Sequence, residues 1–242
     1  MIRLPLAFTQ IPETMRRLAY FNDWPLEVLD RLSLGAKVVS VNKKGVLARK
    51  GERLNQLYIV VSGQVRLYIP LPNGLERVVA LVHQGESFGE ACLVLNEVCP
   101  YVAIACKDTR LLVIDAMVYR QELADHALLA RKTLDHVAKR LLETLRDAEI
   151  CAQPSSLQRV ACFLLRHQPD PATYMFKFQL PARKQDIAAK LGLTQETFSR
   201  VLNCLDKQGV IQMKGALISV EDGGKLAEMT AIQETKCAEV KL

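Results

Sequence analysis

The feature that most constrains the fold is a pair of short amphipathic stretches separated by a glycine. The first covers residues 183–191 and stops at Gly192, and the second begins after Thr194, a good helix N-cap. In the second stretch, apolar and polar residues recur at helical spacing on opposite sides. This pattern predicts a helix-turn-helix, in which Gly192 supplies the backbone freedom for a tight turn.

The polar side of the second helix carries groups suited to reading base pairs. Arginine can donate two hydrogen bonds to guanine O6 and N7, and glutamate can accept one from cytosine N4. We therefore expect contacts to double-stranded DNA from Thr194, Gln195, Glu196, Ser199, Arg200 and Asn203. Arg183, at the start of the first helix, is expected to contact phosphate. The alternative is an ordinary helical hairpin with a solvated polar face.

Two short β-branched runs follow the second helix and predict a two-stranded wing. They cover residues 210–213 and 217–220 and bracket Lys214, which is expected to contact phosphate, while Gly209 is placed to end the helix. Residues 155–220 contain nine Lys or Arg against four Asp or Glu, whereas residues 1–154 contain twenty against seventeen. This concentration of positive charge agrees with a nucleic-acid partner.

The N-terminal half is punctuated by glycines at nearly regular intervals. Gly51, Gly63, Gly74 and Gly85 recur every eleven or twelve residues, and the runs between them are short and β-branched. Short strands at regular spacing predict a β-sandwich or jelly roll. Periodicity alone would fit other β-barrels equally well.

Residues 117–150 contain no glycine or proline and predict one long helix. A single apolar seam follows it, made of Ala127, Ala130, Leu134, Val137, Leu141, Leu145 and Ala148. Packing on the chain's own β-domain would satisfy part of such a seam, and packing against a second copy of the helix is the other interpretation. Pro154 is expected to interrupt the helix and to place a hinge at residues 151–154, before Ser155 or Ser156 caps the next helix.

These regions together resemble the CRP/FNR family of bacterial transcription regulators. The recognition helix carries the E-x-x-S-R pattern of the FNR branch at Glu196, Ser199 and Arg200. The N-terminal match covers Gly51-Glu52, residues 57–68, residues 74–77 and residues 85–90. The resemblance implies a homodimer, with Ala130, Leu134, Val137, Leu141 and Leu145 in the interface, that reads an inverted repeat of TTGAT-like half-sites. RNA polymerase is the implied protein partner.

The implied fold is mixed α+β, and the implied domains follow one another along the chain. They are a cyclic-nucleotide-binding-type β-roll with an N-terminal helical segment at 1–116, a dimerisation helix at 117–150, a winged helix-turn-helix at 151–220 and a tail at 221–242. The tail is expected to contain one short helix after Asp222. The tail as a whole carries more acidic than basic residues.

An effector pocket is implied near Gly89, Glu90, Pro100 and Tyr101. In relatives that bind cyclic nucleotides, a Gly-Glu pair contacts the ribose, and an Arg followed by Ser or Thr, ten residues later, holds the phosphate. This chain keeps Gly89-Glu90 but has Pro100-Tyr101 in place of that second pair. Proline has neither charge nor backbone donor, so we expect an effector other than cyclic AMP. A cyclic-nucleotide-responsive regulator is the alternative.

The sequence also bears on metal cofactors. Cys92 is the first cysteine, and its spacing to Cys99 and Cys106 is not a metal signature, so the N-terminal iron–sulfur site of oxygen-sensing FNR proteins is not expected. Buried reduced thiols are expected instead. The pattern around Pro100-Tyr101 and Phe198 resembles the nitric-oxide-responsive DNR branch, which implies haem. The possible axial ligands are His83, His126, His136 and His167, and His83 is the candidate because it lies close to the expected effector pocket.

The remaining function classes find less support in the residues. No nucleophile with its base, zinc spacing or phosphate-binding glycine loop predicts an enzyme. A regulatory module whose C-terminal domain contacts protein instead of DNA is the other alternative. No run of eighteen uncharged apolar residues and no signal peptide occurs, so we expect a cytoplasmic protein that does not engage a membrane.

Overall fold

The computed structural model describes residues 11–231 except 23, 73 and 171, and divides the chain into two compact units, Met1–Leu141 and Leu142–Leu242. In the N-terminal unit, α1 (Ile11–Arg16), a single 3-10 turn (Ala19–Phe21) and α2 (Leu26–Leu34) precede the strands. The strands are β1 (Ala36–Val41), β2 (Val46–Ala48), β3 (Gln56–Ser62), β4 (Val65–Pro70), β5 (Glu76–Val82), β6 (Ser87–Phe88), β7 (Val102–Ala105) and β8 (Thr109–Asp115). The short helix α3 (Glu90–Leu95) lies between β6 and β7.

The strands form two antiparallel four-stranded sheets, ordered β1-β8-β3-β6 and β2-β7-β4-β5. The predicted β-roll is therefore confirmed. Gly63 shows why glycine turns separate the strands, since its φ is +104° and a Cβ there would lie 2.6 Å from the Thr109 Cα. Gly51, Gly74 and Gly85 also have positive φ.

The predicted uninterrupted helix at 117–150 is wrong. The structure has α4 (Ala116–Asp125) and α5 (Ala127–Ala152), separated at His126, whose φ of −128° and ψ of 99° are extended. The His126 ring lies 3.2 Å from the Glu122 carboxylate and contacts the Arg31 guanidinium on α2. The break between α4 and α5 therefore occurs without a glycine or proline, at a residue that contacts another helix.

The C-terminal unit contains the end of α5 and the helix-turn-helix. It consists of α6 (Ser156–Leu165), β9 (Phe176–Gln179), α7 (Lys184–Lys190), α8 (Gln195–Lys207), β10 (Ile211–Lys214), β11 (Leu217–Val220) and α9 (Gly223–Ala231). The two-stranded wing was incomplete as a prediction, because β9 pairs with the far side of β11 and makes a three-stranded sheet ordered β10-β11-β9. The alternation of Phe176 and Phe178 with polar residues is the signal that was overlooked.

The last turns of α5 belong to the C-terminal unit, not to a separate helix ending at residue 150. Ile150 is buried in the C-terminal core, and Asp147 pairs with Lys190 at 2.9 Å and with Arg166. The boundary between units therefore falls after Leu141, inside the helix, instead of at the expected hinge. Ser155 caps α6 in a capping box with Gln158, one of the two capping positions expected.

The short helix expected after Asp222 is present as α9. Leu226 on this helix is fully buried in the C-terminal core, and the Gly223 N–H donates to the Tyr174 carbonyl at 2.7 Å. Residues 221–231 are thus part of the packed unit and not a detached tail. The rest of the expected tail, 232–242, lies outside the described residues.

Candidate nucleic-acid interface and ligand site

Helix α8 has one buried and one solvent-facing side, as its sequence predicts. Its apolar residues, Phe198, Val201, Leu202 and Leu205, lie in the C-terminal core. Gln195, Glu196, Arg200 and Asn203 are exposed, and Ser199 is half-buried. The polar groups that could contact base edges therefore remain exposed, on a helix whose opposite side packs in the C-terminal core.

The turn between α7 and α8 fixes the position of the N-terminus of α8. Gly192 has φ of +68°, and the Leu193 N–H donates to the Ala188 carbonyl at 2.8 Å. Ala188 is fully buried in the C-terminal core, so a larger side chain there would disturb the packing around α7. Thr194 caps α8 by accepting the Thr197 N–H at 3.1 Å, which engages its hydroxyl in holding the helix.

The Arg183 side chain is held in an ion pair, which the sequence did not indicate. It is the N-cap of α7, and its Nε donates to the Asp186 carboxylate at 2.9 Å, where Asp186 is fully buried. Its side chain is nevertheless 53% exposed, so part of the guanidinium still faces solvent. This residue combines a structural ion pair with positive charge at the start of the helix-turn-helix.

The wing places Lys214 at its tip. Lys214 pairs with Leu217 across the turn, Gly215 has φ of +65°, and Lys214 is exposed. The turn is tied to α8, because the Asp206 carboxylate accepts the Met213 N–H at 3.2 Å. The wing and α8 therefore form one framework.

The N-terminal unit contains a second site, built around the buried carboxylate of Glu90. Gly89, with φ of +106°, precedes α3 and sets Glu90 as the first residue of that helix, only 3% exposed. The Ser87 hydroxyl donates to the Glu90 carboxylate. The His136 Nε2 lies 3.5 Å from one Glu90 oxygen, and the Arg140 guanidinium lies 3.8 Å from the other.

Sequence reasoning missed Arg140, and it considered His136 only as a possible iron ligand. They are four residues apart and share one face of α5, and Arg140 also donates to the Ser87 carbonyl at 2.6 Å. Their i, i+4 spacing, which puts both side chains on one face of α5, was the available signal. What the sequence could not indicate is that this face covers Glu90 rather than solvent.

A buried chain of hydroxyl groups extends from this site towards the N-terminal helices. The His136 ring packs edge-on against Tyr20, with centroids 5.5 Å apart. The Tyr20 hydroxyl is 3.1 Å from that of Tyr119, which is 3.0 Å from the Thr133 hydroxyl. Burial raises the pKa of Tyr119 to about 12, so this hydroxyl stays protonated and can act as a donor.

Tyr101 lies next to this site, whereas Pro100 is exposed. Burial raises the pKa of Tyr101, and the charges of Glu90 and Arg140 act on its hydroxyl as smaller causes. Gly89, Glu90 and Tyr101 thus lie in one region of the N-terminal unit. Pro100 occupies the surface of that region and offers no cation to it.

His83 lies in the turn between β5 and β6 and has polar contacts. Its Nδ1 is 3.4 Å from the Gln64 side-chain nitrogen, and its backbone N–H donates to the Glu86 carboxylate at 2.7 Å. A haem needs an apolar slot beside its axial ligand, and these contacts do not fit one. Within the described part of the chain, no group of three or more His, Cys, Asp or Glu side chains is placed to hold a metal ion.

The apolar seam of α5 is largely open in the single chain. Leu134, Leu141 and Leu145 are between 57% and 63% exposed, Ala130 is exposed, and Val137 is half-buried. Leu142, outside the predicted seam, is also exposed. A run of large exposed apolar side chains on one helix is unusual for a monomer and marks an interaction surface.

Comparison with known proteins matches both units. The cyclic nucleotide-binding domain model matches residues 38–126, and the Crp-like helix-turn-helix domain model matches residues 158–229. The chain is 31% identical over 180 residues to the cyclic AMP receptor protein of Thermus thermophilus, an alignment that covers 74% of this chain and 82% of the relative. It is 25% identical to the anaerobic regulatory protein of Haemophilus influenzae, over 91% of this chain and 86% of the relative.

A solved structure shows the same arrangement of elements. The structure of FixK2 from Bradyrhizobium japonicum superposes with a TM-score of 0.66 at 26% identity, covering 82% of this chain and 98% of that one. Helices long and apolar enough to cross a bilayer do not occur among the described residues.

Proposed function

The chain belongs to the CRP/FNR family of transcription regulators, and from that premise we propose that it is a homodimeric, sequence-specific DNA-binding regulator controlled by an effector at the Glu90 site. Its relatives are regulatory proteins, not enzymes. The observation that carries the proposal is the exposure of Glu196 and Arg200 on a helix whose opposite side is buried.

Arg200 and Glu196 are the proposed base-reading residues. They lie within the first two turns of α8, the part of a recognition helix that enters the major groove. Arg200 donates to guanine, Glu196 accepts from cytosine, and Ser199, Gln195 and Asn203 contact neighbouring edges or phosphate. The edge of the proposed DNA interface is formed by Thr194, Arg183 and Lys214. These residues are proposed to contact the sugar-phosphate backbone of the DNA.

The exposed seam of α5 is the proposed dimer interface, formed by Ala130, Leu134, Val137, Leu141 and Leu145. Two copies packed along this seam would bury the leucines that the single chain leaves open. A twofold axis would then place two recognition helices about 34 Å apart, one turn of DNA. An inverted-repeat operator follows from this symmetry.

The proposed operator consists of TTGAT and ATCAA half-sites separated by four base pairs. A gel shift with this duplex and with a scrambled duplex of equal length and composition tests it. Tight binding to the operator alone is expected, whereas equal binding to both would contradict base reading. Binding to neither, together with capture of a protein partner, would favour a module that contacts protein. RNA polymerase is the proposed partner of the DNA-bound dimer.

The proposed effector is an anion other than cyclic AMP. Pro100 replaces the arginine that would hold a cyclic phosphate, and the cation near Glu90 comes instead from Arg140 on α5. An effector that takes Arg140 away from Glu90 would change how α5 packs on the β-roll, and would shift the dimer towards the conformation it binds better. Calorimetry with cyclic AMP should show no submicromolar binding. Such binding would instead identify a cyclic-nucleotide-responsive regulator.

Nitric oxide acting through haem is the second effector route implied by the resemblance to the DNR branch. The polar contacts of His83 do not favour it. Addition of haemin to the purified protein tests this route, because a bound haem gives a Soret band. A band that is lost in His83→Ala would establish His83 as an axial ligand and would replace the anion proposal.

A further inference from the structure

One carboxylate near the end of α5 faces two cations of the C-terminal unit. The Asp147 carboxylate lies 2.9 Å from the Lys190 ammonium and also pairs with the Arg166 guanidinium. Lys190 is the last residue of α7, and Arg166 directly follows α6. The three side chains are between 18% and 31% exposed, so water screens these ion pairs less than pairs on an open surface. The three groups therefore join α5, α6 and α7 at one point.

Two further side chains hold the same end of α7. The Cys151 thiol on α5 donates to the Lys190 carbonyl at 3.4 Å. The Arg159 guanidinium on α6 donates to the Gln153 carbonyl at 2.8 Å and to the Gly192 carbonyl at 3.5 Å. Both the ammonium and the carbonyl of Lys190 are thus bound by α5. The contacts converge on the segment that leads from α7 into the turn before α8.

The connection at residues 151–154 is therefore bridged by side chains. Asp147 and Cys151 lie before it and bind α7 directly, and Ile150 is buried in the core that also contains α7 and α8. A movement of the last turns of α5 would carry α7, the turn and α8 with it. The direction of the recognition helix follows α5, because the ion pairs link the two.

An inverted-repeat operator makes a geometric demand on such a link. One added base pair moves a half-site by about 3.4 Å along the duplex and turns it by about 35°. Leu145 of the proposed dimer seam lies two residues before Asp147, on the same helix. A recognition helix held firmly on α5 cannot follow the displaced half-site, whereas a loosely held one can. Tolerance to a changed spacer therefore measures how firmly α8 is held.

We propose that Asp147 is a positioning residue for operator recognition, and that its ion pairs with Lys190 and Arg166 fix the half-site spacing that the dimer accepts. This inference rests on the proposed function, because it concerns a dimer that reads an inverted repeat. Asp147 touches no DNA in this role and acts through α7 and the turn after it. Removing its charge leaves Lys190 and Arg166 as neighbouring like charges, which repel each other and release α7 from α5.

A spacer series tests the role by fluorescence anisotropy with the full-length protein. The duplexes are the TTGAT-N4-ATCAA operator, the same half-sites with spacers of three, five and six base pairs, a duplex with a single half-site, and a scrambled duplex. The wild type is expected to lose at least about tenfold in affinity when the spacer changes by one base pair, because one half-site disengages and its contribution to avidity is lost.

The variant Asp147→Asn keeps the shape of the side chain and removes its charge. It is expected to bind the operator more weakly than the wild type, and to lose less than about threefold when the spacer changes, because its recognition helices can follow the half-sites. Its affinity for the single half-site should equal that of the wild type, since the base-reading groups of α8 are unchanged. A variant that failed to fold would lose this binding as well.

Matched variants separate position from charge. Glu149→Gln removes one carboxylate from an exposed position of α5 and should keep the wild-type spacer preference. Lys190→Gln removes the partner of Asp147 and should flatten the preference as Asp147→Asn does. Each ratio compares duplexes within one variant, so a general change in affinity for DNA cancels. Asp147→Glu keeps the charge and should restore part of the preference.

The outcomes distinguish this inference from the proposed function. A wild-type spacer preference in both Asp147→Asn and Lys190→Gln overturns the inference, as does an equal flattening in Glu149→Gln. A wild type that prefers the operator to scrambled DNA but accepts all spacers equally also overturns it, and leaves base reading intact. A wild type that binds operator and scrambled DNA alike defeats the proposed function, and the inference with it.

Hydrogen–deuterium exchange without DNA measures the link itself. Amide exchange over residues 184–192 is expected to be faster in Asp147→Asn than in the wild type and in Glu149→Gln, because α7 loses its tie to α5. Exchange over α3, in the N-terminal unit, should be the same in all three proteins. Unchanged exchange over residues 184–192 in Asp147→Asn would overturn the role of the ion pairs.

Discussion

The Arg140 guanidinium lies 3.8 Å from the Glu90 carboxylate, so a cation of α5 covers the first residue of α3 within the N-terminal unit. Glu90 is 3% exposed, and the Arg140 side chain is 28% exposed. A carboxylate this deeply buried requires partners that offset its lost hydration. The pair therefore joins the helix that carries the open apolar seam to the site expected to bind the effector.

Replacing Arg140 with alanine should destabilise the N-terminal unit. Glu90 would keep Ser87 and His136 but lose its nearest permanent cation, and we expect the free energy of unfolding to fall by about 1–3 kcal/mol. Trp24, the single tryptophan, is buried in this unit, so its fluorescence during urea unfolding reports the change. Lys139→Ala, an exposed neighbour on the same helix, is the control and should leave the midpoint within error. Equal effects of the two variants would show that the ion pair contributes nothing.

The seam of α5 should govern oligomeric state. Leu141→Lys places a charge among exposed leucines, whereas Glu143→Lys places the same side chain on the opposite side of the helix. Sedimentation equilibrium is expected to show a dimer for the wild type and for Glu143→Lys, and a monomer for Leu141→Lys. Affinity for the operator should fall when dimerisation is lost, because a monomer reads only one half-site. A dimeric Leu141→Lys variant would place the interface elsewhere.

Arg200 and Lys214 should contribute to DNA binding in different ways. Arg200→Ala is expected to cost about 1–3 kcal/mol on the operator duplex and to relax the preference at one guanine. Lys214→Ala should weaken operator and scrambled duplexes alike, because it removes only a phosphate contact. Fluorescence anisotropy at one fixed salt concentration measures both. A loss of equal size on both duplexes for Arg200→Ala would contradict its role in base reading.

The C-terminal unit should lose stability as the pH falls through the ordinary titration range of histidine. Burial lowers the pKa of His167, whose ring stacks on Phe178 with centroids 4.1 Å apart. The unfolded chain then binds a proton at higher pH than the folded chain, so stability is full above about pH 6.5 and declines below it. Calorimetry from about pH 7.5 to about pH 5.5 measures this decline.

The variant His167→Phe keeps an aromatic ring against Phe178 and cannot be protonated. It should reduce the pH dependence of the C-terminal transition, whereas His83→Gln, in the other unit, should leave that transition unchanged. A transition that keeps the wild-type pH dependence in His167→Phe would assign the effect to other groups.

The recognition helix illustrates how much of the candidate interface is a local property. Its cap at Thr194, its buried Phe198 and its exposed Arg200 all follow from residues within two or three turns of one another. Hydrophobic periodicity and capping chemistry act at that distance, so the order of residues is enough to predict them. The glycine turns of the β-roll were predictable for the same reason.

Other features depend on residues that meet only when the chain closes on itself. Nothing in the composition of residues 117–150 predicts a break at His126. The His126 ring contacts Glu122 on α4 and Arg31 on α2, which is distant along the chain. The wing's third strand, β9, exists because it finds an edge of β11 that is about forty residues away along the chain. A sequence pattern states what a segment prefers, but not which partner it will find.

The sequence by itself determined the glycine-separated strands of the N-terminal unit and the side of α8 that faces solvent, because both follow from short-range periodicity and turn chemistry. Only the tertiary structure decided that Arg140 and His136 cover Glu90 and that Asp147 joins the end of α5 to the helix-turn-helix. Charged and polar groups are buried only where partners from other elements compensate their lost hydration. Those partners are set by the closure of the fold and not by spacing along the chain.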